Sequence, residues 1–369
     1  MHIMVIFGTR PEAIKMAPIV LELQRKSINT TICFTGQHLD LVKDVISFFS
    51  LRVDVQLSTM EHGQTLPKLV SSLMSQLDTL MSQRLPDLVL VHGDTATTLS
   101  ATMTAFLRKI KVGHVEAGLR THNLQSPWPE EANRVVTGVL STLHFAPTEI
   151  SYSNLINEGK SPSQVFITGN TVIDAVKKAC ETFMQKNQFK TAEKQDVKKI
   201  LVTCHRRENI QHLEAICQGL LDVLALNKDA QVILPVHPNP AVSSVIYDKL
   251  NHNDQIVLCE PMPYGELMQT LAEAHLVVTD SGGLQEEAPA LNKPVLVIRD
   301  TTERPEVLET GAAKLIGTNA SVITKEIGNI LNDRRLYEKM SAAVNPYGDG
   351  TAGQKIVQIC INELQGDKL

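Results

Sequence analysis

The stretch VVTDSGGLQEEAPALNKPVLVIRDTTERPE, residues 277–306, contains the pattern that decides the fold of this chain. The apolar run at 276–279 predicts a short buried strand, and the DSGG turn at 280–283 leads into a segment that begins a helix. A second apolar run, at 294–298, predicts another strand. A strand, a helix and a strand in this order predict two parallel strands joined by a crossover helix.

Short runs rich in Val and Ile alternate with longer segments of helical period through the whole chain. The strands predicted in the first half are Ile3–Phe7, Thr31–Thr35, Leu88–Val91, Val112–Val115 and His144–Ala146. Those predicted in the second half are Lys199–Thr203, Gln231–Pro235, Ile256–Cys259, Leu276–Thr279 and Pro294–Ile298. Each half can therefore build its own doubly wound sheet. The predicted fold class is α/β, with two Rossmann-like domains facing a cleft and ligands at the carboxyl ends of the strands.

The boundary between the domains is predicted near Gly169 and Asn170, because a polar segment typical of an exposed helix and linker follows. The first domain then covers residues 1–168 and the second covers residues 169–345. We expect residues 346–369 to form a helix that crosses back to the first domain, as in similar folds.

Composition excludes several classes of protein. With 369 residues, 43% of them hydrophobic and 20% charged, the chain suits two globular domains. A net charge of −5 and an aromatic content of 4% argue against a nucleic-acid partner, which requires basic and stacking surfaces. The sequence shows neither a signal-peptide pattern nor an apolar run near the roughly 20 residues of a membrane span, so we expect a cytoplasmic protein without a membrane partner. Six cysteines, spread singly, are interpreted as reduced thiols.

Acidic residues follow two consecutive predicted strands of the first half, at Asp94 and Glu116. An aspartate there often caps the next helix, whereas glutamate is a poorer cap. Glu130 and Glu131 begin another predicted helix, and an ion pair with Arg134 one turn later explains Glu131. Crowding and partial burial raise a carboxyl pKa towards neutral pH, so we predict an acid-base role for these carboxylates. A two-carboxylate glycosidase would use the same groups.

Candidate anion contacts follow other predicted strands. Gly282 and Gly283 let a ligand approach the backbone closely, and the helix that begins there offers N–H donors to a diphosphate. Glu286 or Glu287 would then accept hydrogen bonds from ribose hydroxyls. His205 suggests a further anion contact, and it does not form a nucleophilic pair with Cys204, because neighbouring strand residues point to opposite faces.

Cofactor motifs are missing from the sequence. Neither GxGxxG nor GxxxxGK[ST] occurs, which removes most support for a dinucleotide or P-loop site. A metal site would have to draw on scattered histidines at 92, 114, 144, 205 and 237, without HExxH or another tight ligand spacing. We therefore expect neither a cofactor nor a metal.

Nine motifs spread over almost the full chain carry a resemblance to a known family. They are FGTRPEAIKMAP (7–18), VHGDT (91–95), HVEAGLRT (114–121), PWPEEANR (127–134), FITGNTVIDA (166–175), HRREN (205–209), DSGGLQEEAP (280–289), RDTTERPE (299–306) and NPYGDG (345–350). Together they resemble the non-hydrolysing UDP-N-acetylglucosamine 2-epimerases of bacteria.

The resemblance implies a glycosyltransferase-B-like fold and an isomerase that interconverts UDP-GlcNAc and UDP-ManNAc, which supplies UDP-ManNAc for cell-surface polysaccharide. In that family the C2 proton is removed as UDP leaves C1, and UDP adds back to the resulting 2-acetamidoglucal with protonation on the other face. The resemblance also implies a homodimer and no nicotinamide or metal.

Residue roles follow from the same resemblance. The implied acid-base residues are Asp94, Glu116 and Glu130, with His205 as a further catalytic residue. The implied contacts of UDP are Arg10, Lys15, His205, Ser281, Gly282, Gly283, Glu287 and Arg304.

Some members of the family also bind UDP-GlcNAc as an allosteric activator, and the residues similar to theirs are Gln37, Arg206 and His237. Asp40, Ser72 and a short loop after Asn209 depart from the pattern of those members.

Four alternatives remain open from the sequence. A hydrolytic epimerase would release UDP and free ManNAc, and an epimerase for a diacetamido uronic-acid sugar would use the same chemistry with different sugar contacts. A glycosyltransferase or a UDP-sugar-binding regulator would not need a base for the C2 proton.

Overall fold

A computed structural model of the protein describes residues 1–36, 39–60, 63–185 and 197–366. The strands are β1 His2–Phe7, β2 Asn29–Phe34, β3 Val55–Gln56, β4 Leu88–His92, β5 Lys111–Val115, β6 Leu143–Ala146, β7 Val165–Ile167, β8 Lys198–Thr203, β9 Ala230–Pro235, β10 Ile256–Cys259, β11 Leu276–Thr279, β12 Val295–Val297 and β13 Ala313–Leu315. The helices are α1 Arg10–Arg25, α2 Leu39–Phe48, α3 Leu66–Arg84, α4 Ala96–Leu107, α5 Glu130–Leu140, α6 Glu149–Asn157, α7 Thr171–Gln185, α8 Leu213–Leu226, α9 Pro240–Leu250, α10 Tyr264–Glu273, α11 Gly282–Glu287, α12 Pro305–Glu309, α13 Ala320–Asn332, α14 Arg334–Ser341 and α15 Ala352–Gly366.

The strands form two parallel sheets. The first has the order β3-β2-β1-β4-β5-β6-β7, and the second has the order β10-β9-β8-β11-β12-β13. The strand order reverses once in each sheet, between β1 and β4 in the first sheet and between β8 and β11 in the second. Ligands of doubly wound sheets bind outside the carboxyl ends of the strands at such a point. The predicted α/β class with two Rossmann-like domains is confirmed.

The chain divides into two compact units. Unit 1 consists of Met1–Ala175 together with Tyr347–Leu369, and unit 2 consists of Val176–Pro346. In unit 1, α15 packs on α1, and the backbone N–H groups of Ala352 and Gly353 donate to the Asp174 carboxylate at 3.2 and 2.8 Å. The start of the last helix is therefore capped by a side chain of α7.

The central strands of both sheets are buried on both faces, which explains their nearly continuous apolar sequences. Residues 3–7 of β1 and all of β11 are buried, and β11 pairs with β8 on one side and β12 on the other. All ten predicted strands are present, whereas β3, β7 and β13 were not predicted, because two or three residues are too few to show a strand period.

The six cysteines are free thiols, and four of them are buried. No helix in the described ranges is long and apolar enough to cross a membrane.

Candidate functional site

The site residues of unit 1 lie at the carboxyl ends of three neighbouring strands. Arg10 and Lys15 belong to α1, which follows β1, while Asp94 follows β4 and Glu116 follows β5. Strand β4 lies between β1 and β5 in the sheet. Because all three strands are parallel, the residues that follow them are delivered to one edge of the sheet.

Glu116 lies in a pocket of hydrogen-bond donors. Its Oε2 forms an ion pair with Lys15 Nζ, accepts a hydrogen bond from Asn170 Nδ2 at 2.8 Å and lies 3.6 Å from His92 Nε2. The Glu116 side chain is 10% exposed, and its backbone φ of +60° is a left-handed conformation that costs a glutamate free energy. The surrounding contacts hold this carboxylate in one place.

The charge state of Glu116 differs from the sequence-based prediction. Burial by itself raises the pKa of Glu116, but the cationic Lys15 and the neighbouring His92 outweigh burial and leave the pKa well below its ordinary value. The prediction that crowding raises the carboxyl pKa was therefore wrong for Glu116, because it left out the lysine that the fold brings into contact. In this state Glu116 is a carboxylate over the physiological range.

Asp94 is held by residues of α5. Arg134 donates from Nε and Nη2 to Asp94 Oδ2 at 3.0 and 2.7 Å, and Asn133 Nδ2 donates to the Asp94 backbone carbonyl at 2.7 Å. Arg134 also donates to Glu131, which is fully buried and accepts the backbone N–H groups of Thr121 and His122. The structural interpretation of Glu131 is confirmed.

Glu130, the first residue of α5, is half-buried, as is Asp94. Arg10 at the start of α1 lies 3.9 Å from Asp44, measured between Nη2 and Oδ2, and both side chains are part-buried.

Lys15 is buried against Glu116. Its contact with UDP stays a prediction, which a structure with bound UDP would test.

Glu12 is a buried carboxylate that the sequence analysis did not select. It accepts the backbone N–H groups of Gly8 and Thr9 at 3.0 and 2.7 Å and the hydroxyl of Thr95 at 2.7 Å, so it connects the loop after β1 to the loop after β4. The signal was available, because Thr9 followed three residues later by Glu12 matches a helix capping box. Asn170 gave no comparable signal.

The site residues of unit 2 follow β8, β11 and β12. Asp280, fully buried at the end of β11, accepts on Oδ2 from the backbone N–H groups of His205 and Arg206 at 2.9 and 2.8 Å and from Asn209 Nδ2 at 3.1 Å. Its Oδ1 lies 3.2 Å from Nδ1 of His205. Asp280 thus holds the backbone of His205 and lies against its ring. From the sequence alone, Asp280 is predicted only as part of the DSGG turn.

The His205 ring is 40% exposed and stacks on the ring of His237, with the centroids 6.4 Å apart. Partial burial lowers the pKa of His205, and the Asp280 carboxylate opposes that shift. Cys204, the residue before it, is buried, and burial raises its thiol pKa, which agrees with the prediction that it is not a nucleophile.

The structure describes two of the three predicted allosteric residues, Arg206 and His237. Arg206 Nη2 lies 3.7 Å from Glu303 Oε1, and His237 lies beside His205, so both belong to the same surface of unit 2. Gln37 lies outside the described residues. The segment after Asn209 continues as a 3₁₀ turn, residues 207–212, directly into α8.

Gly282 and Gly283 have different surroundings. A Cβ atom on Gly282 would lie 2.8 Å from Arg304 Nη1, whereas a Cβ atom on Gly283 would lie 3.9 Å from Ser281 Oγ. Arg304 is held in place by Glu286 and Glu303, each at 2.7 Å. Gly282 therefore makes room for a guanidinium, whereas a Cβ on Gly283 would be in ordinary van der Waals contact with Ser281 and Glu287.

Glu303 lies between arginines. Its carboxylate accepts from Arg304 Nη1 at 2.7 Å and from Arg299 Nη1 at 2.8 Å, and Arg299 also donates to Glu208 at 2.6 Å. Burial by itself would raise the pKa of Glu303. The cationic Arg304 and Arg299 outweigh burial, and together they lower the pKa to about 2. This ionised network fixes the RDTTERPE loop beside the DSGG turn.

His92, His114 and His144 of the first unit are buried. His114 Nε2 lies 2.8 Å from the Gly93 carbonyl oxygen, and burial lowers the pKa of His114 to about 3 and that of His144 to about 4. Across the described part of the chain, no group of three or more His, Cys, Asp or Glu side chains has the arrangement of a metal site.

Two doubly wound parallel sheets, carboxylates after β4 and β5, and a glycine turn backed by an arginine after β11 are typical of enzymes that act on nucleotide-linked substrates. A model of the UDP-N-acetylglucosamine 2-epimerase family matches residues 21–361. The chain therefore belongs to that family, and it is an isomerase.

Individual relatives agree with the family match. The UDP-N-acetylglucosamine 2-epimerase of Salmonella typhimurium is 45% identical over 367 residues, covering 97% of this chain and 98% of that protein. The solved UDP-GlcNAc 2-epimerase of Neisseria meningitidis bound to UDP-GlcNAc is similar with a TM-score of 0.90 and 43% identity, covering 98% of this chain and 100% of that chain. The Methanocaldococcus jannaschii enzyme in complex with UDP-GlcNAc and UDP has a TM-score of 0.82 and 33% identity, covering 98% and 100%. The expected glycosyltransferase-B-like fold is confirmed by these likenesses.

Proposed function

We propose that this protein interconverts UDP-GlcNAc and UDP-ManNAc by inverting C2 without net hydrolysis. One observation carries the proposal most directly: Asp94 and Glu116 follow the adjacent parallel strands β4 and β5, and each carboxylate is paired with a cation, Arg134 or Lys15. Two carboxylates at one sheet edge suit a reaction that moves a proton at a single carbon. The relatives named for the same activity support it.

The first half of the proposed reaction is an elimination. A carboxylate takes the proton from C2, the former C2–H electron pair becomes the C1=C2 double bond, and the C1–O bond breaks with its electron pair leaving on UDP. Glu116 is suited to accept that proton, because its low pKa keeps it ionised before the reaction. The products of this step are 2-acetamidoglucal and UDP, with no change in redox state.

The second half reverses the elimination on the other face. A protonated group gives its proton to C2, and the UDP oxygen adds back to C1, so that only the configuration at C2 changes. The acceptor of the first proton and the donor of the second are different groups, which must exchange protons with solvent between turnovers. Asp94, Glu116 and Glu130 are the proposed set, with no assignment of each to a face.

The proposed role of unit 2 is to retain UDP while it is free. Ser281, Gly283 and the first N–H groups of α11 would bind the diphosphate, and Arg304 would stabilise its growing charge as the C1–O bond breaks. The fixed geometry of Arg304, held by Glu286 and Glu303, means that it need not reorganise during the reaction. His205, held by Asp280, would contact the same anion, and Glu287 the ribose.

The test is incubation with UDP-GlcNAc in D₂O, followed by proton NMR of the sugar. We expect UDP-ManNAc with deuterium at C2, since the incoming proton comes from solvent. UDP-GlcNAc labelled with ¹⁸O between C1 and the β-phosphorus should lose the label from the bridge position, because free UDP rotates before it returns. Free ManNAc would indicate the hydrolytic reaction. Failure of both exchange reactions would contradict the proposal and favour a transferase or a binding protein.

We also propose that the protein is a homodimer. Helices α4 and α5 pack side by side in unit 1, and Phe106, Leu107 and Val139 are more than half exposed. Large apolar side chains on neighbouring helices are typical of a surface covered by another subunit. Use of the product in polysaccharide synthesis and a location in the cytoplasm stay predictions.

A further inference from the structure

The two oxygens of the Glu116 carboxylate have different surroundings. Lys15 Nζ, Asn170 Nδ2 and His92 Nε2 all approach Oε2, with Asn170 at 2.8 Å and His92 at 3.6 Å. Oε1 faces Gly93, lying 4.0 Å from the place where a Cβ of that residue would stand. Among the described residues, no hydrogen-bond donor is paired with Oε1.

This difference determines which oxygen can exchange a proton. An oxygen that already accepts from an ammonium and an amide has little remaining capacity to take a third hydrogen. The other oxygen of the same carboxylate keeps its lone pairs. Gly93 adds to the difference, because the missing side chain leaves space on the Oε1 side.

Asn170 is anchored independently of Glu116. Its side chain is buried, its Oδ1 accepts the Val172 N–H at 3.0 Å at the start of α7, and its own N–H donates to the Tyr347 carbonyl at 2.7 Å. With Oδ1 held by the backbone, Nδ2 has to point at Glu116. The amide is therefore a fixed donor, unlike the flexible ammonium of Lys15.

We propose that Asn170 is a positioning residue of the reaction, which engages Oε2 of Glu116 so that, of the two oxygens of this carboxylate, only Oε1 exchanges a proton with C2. The inference rests on the proposed function. Asn170 itself does not contact the reacting atoms; it acts by fixing the orientation of the carboxylate, and a shift of about 1 Å in a reacting group can cost up to about 100-fold in rate.

The experiment uses Asn170→Asp in the full-length protein. Aspartate keeps the cap on α7 but places a second negative charge against Oε2, which the charge of Lys15 offsets only in part. We expect kcat to fall by about 10- to 100-fold, UDP affinity to stay near that of the wild type and the acid limb of the pH profile of kcat/KM to move to higher pH. Carbon-13 NMR of the labelled Glu116 carboxyl should show the same upward shift of its pKa.

Asn319→Asp is the matched control. Asn319 caps α13 in unit 2 through Oδ1 bonds to the N–H groups of Ser321 and Val322, and the same substitution there should leave kcat and the pH profile unchanged. Asn170→Ser, which retains a capping oxygen without an amide donor, serves if the aspartate variant does not fold; it should lower kcat without altering UDP affinity.

The outcomes separate the two proposals. If the wild type exchanges the C2 hydrogen but the Asn170 variants keep its kcat, its pH profile and its Glu116 titration, the role of Asn170 is overturned and the proposed function stands. If the wild type itself neither exchanges deuterium nor forms UDP-ManNAc, the proposed function fails and the role of Oε1 fails with it.

Discussion

The guanidinium of Arg304 lies directly against the backbone of Gly282, so close that a Cβ atom at position 282 would stand 2.8 Å from Nη1. Arg304 has little freedom to withdraw, because Glu286 and Glu303 hold it at 2.7 Å each. The glycine of the DSGG turn and the arginine of the RDTTERPE loop therefore depend on each other.

Gly282→Ala should destabilise the protein, because the new methyl group clashes with a side chain that is held by two carboxylates. We expect a loss of about 1–3 kcal/mol in the free energy of unfolding, the usual cost of overpacking. Urea denaturation measures it. Gly328→Ala in the middle of α13 is the control: nothing stands within 4 Å of its Cβ position, so alanine should stabilise that helix by up to about 1 kcal/mol. Equal stability of the two variants would contradict the steric argument.

Asp94→Asn, Glu116→Gln and Glu130→Gln should each lower turnover by roughly 10²–10⁴, the usual contribution of one general acid or base. UDP binding, measured by calorimetry, should largely survive, because these side chains belong to unit 1 and the proposed diphosphate contacts at Ser281 and Gly283 belong to unit 2. Near-normal turnover in all three variants would show that the acid-base assignment is wrong.

Lys15→Met should move the acid limb of the kcat/KM profile to higher pH. In the wild type the cationic Lys15 holds the pKa of Glu116 well below its ordinary value, so the base stays ionised as pH falls. Without the cation, burial raises that pKa, and the carboxylate is protonated at a higher pH. A pH series on the purified variant measures the shift, and Lys15→Arg, which keeps the charge, should restore much of the wild-type profile. An acid limb that does not move in Lys15→Met would exclude this electrostatic role.

Asp280→Asn should lower the pKa of His205 further, because the Asp280 carboxylate opposes the effect of burial and its removal leaves burial unopposed. Nitrogen-15 NMR of the imidazole as a function of pH measures this directly. Asp229→Asn, at an exposed carboxylate paired with Lys198, is the control and should leave the His205 titration unchanged. If His205 titrated identically in Asp280→Asn, the 3.2 Å contact would have no electrostatic effect.

Val139→Glu should convert a dimer to a monomer, because a charge in a buried apolar interface is costly. Light scattering coupled to size exclusion measures the mass. Val344→Glu is the control, since Val344 is also exposed at 76% but lies in unit 2. A dimer that survives Val139→Glu would place the interface elsewhere, and a monomeric wild type would exclude the homodimer.

Much of the fold followed from local patterns. The ten predicted strands are present with end points within a few residues, since a buried parallel strand is a continuous apolar run that needs no knowledge of its neighbours. The candidate residues after β4, β5, β8 and β11 were found for the same reason: polar groups that directly follow such runs lie at the edge where ligands bind. The short strands β3, β7 and β13 were not predicted, because two or three residues are too few to show the alternation or the apolar run of a strand.

The contacts that set the chemistry were not predictable in this way. Asn170 and Asp280 are buried polar residues whose roles depend on partners distant in sequence, and no local spacing marks an asparagine that will meet a glutamate. The error over the pKa of Glu116 has the same origin, because desolvation can be guessed from a buried strand but the cation that outweighs it comes from another element.

By itself, the sequence determined the class of fold, the strand ends that carry polar residues and, through nine motifs, the family. Only the tertiary structure decided that Lys15 and Asn170 meet on one oxygen of Glu116, that Arg134 reaches Asp94 and that Gly282 makes room for Arg304. The physical reason is one of range: strand and helix periods arise from neighbours along the chain, whereas charge state and orientation arise from atoms brought together by folding.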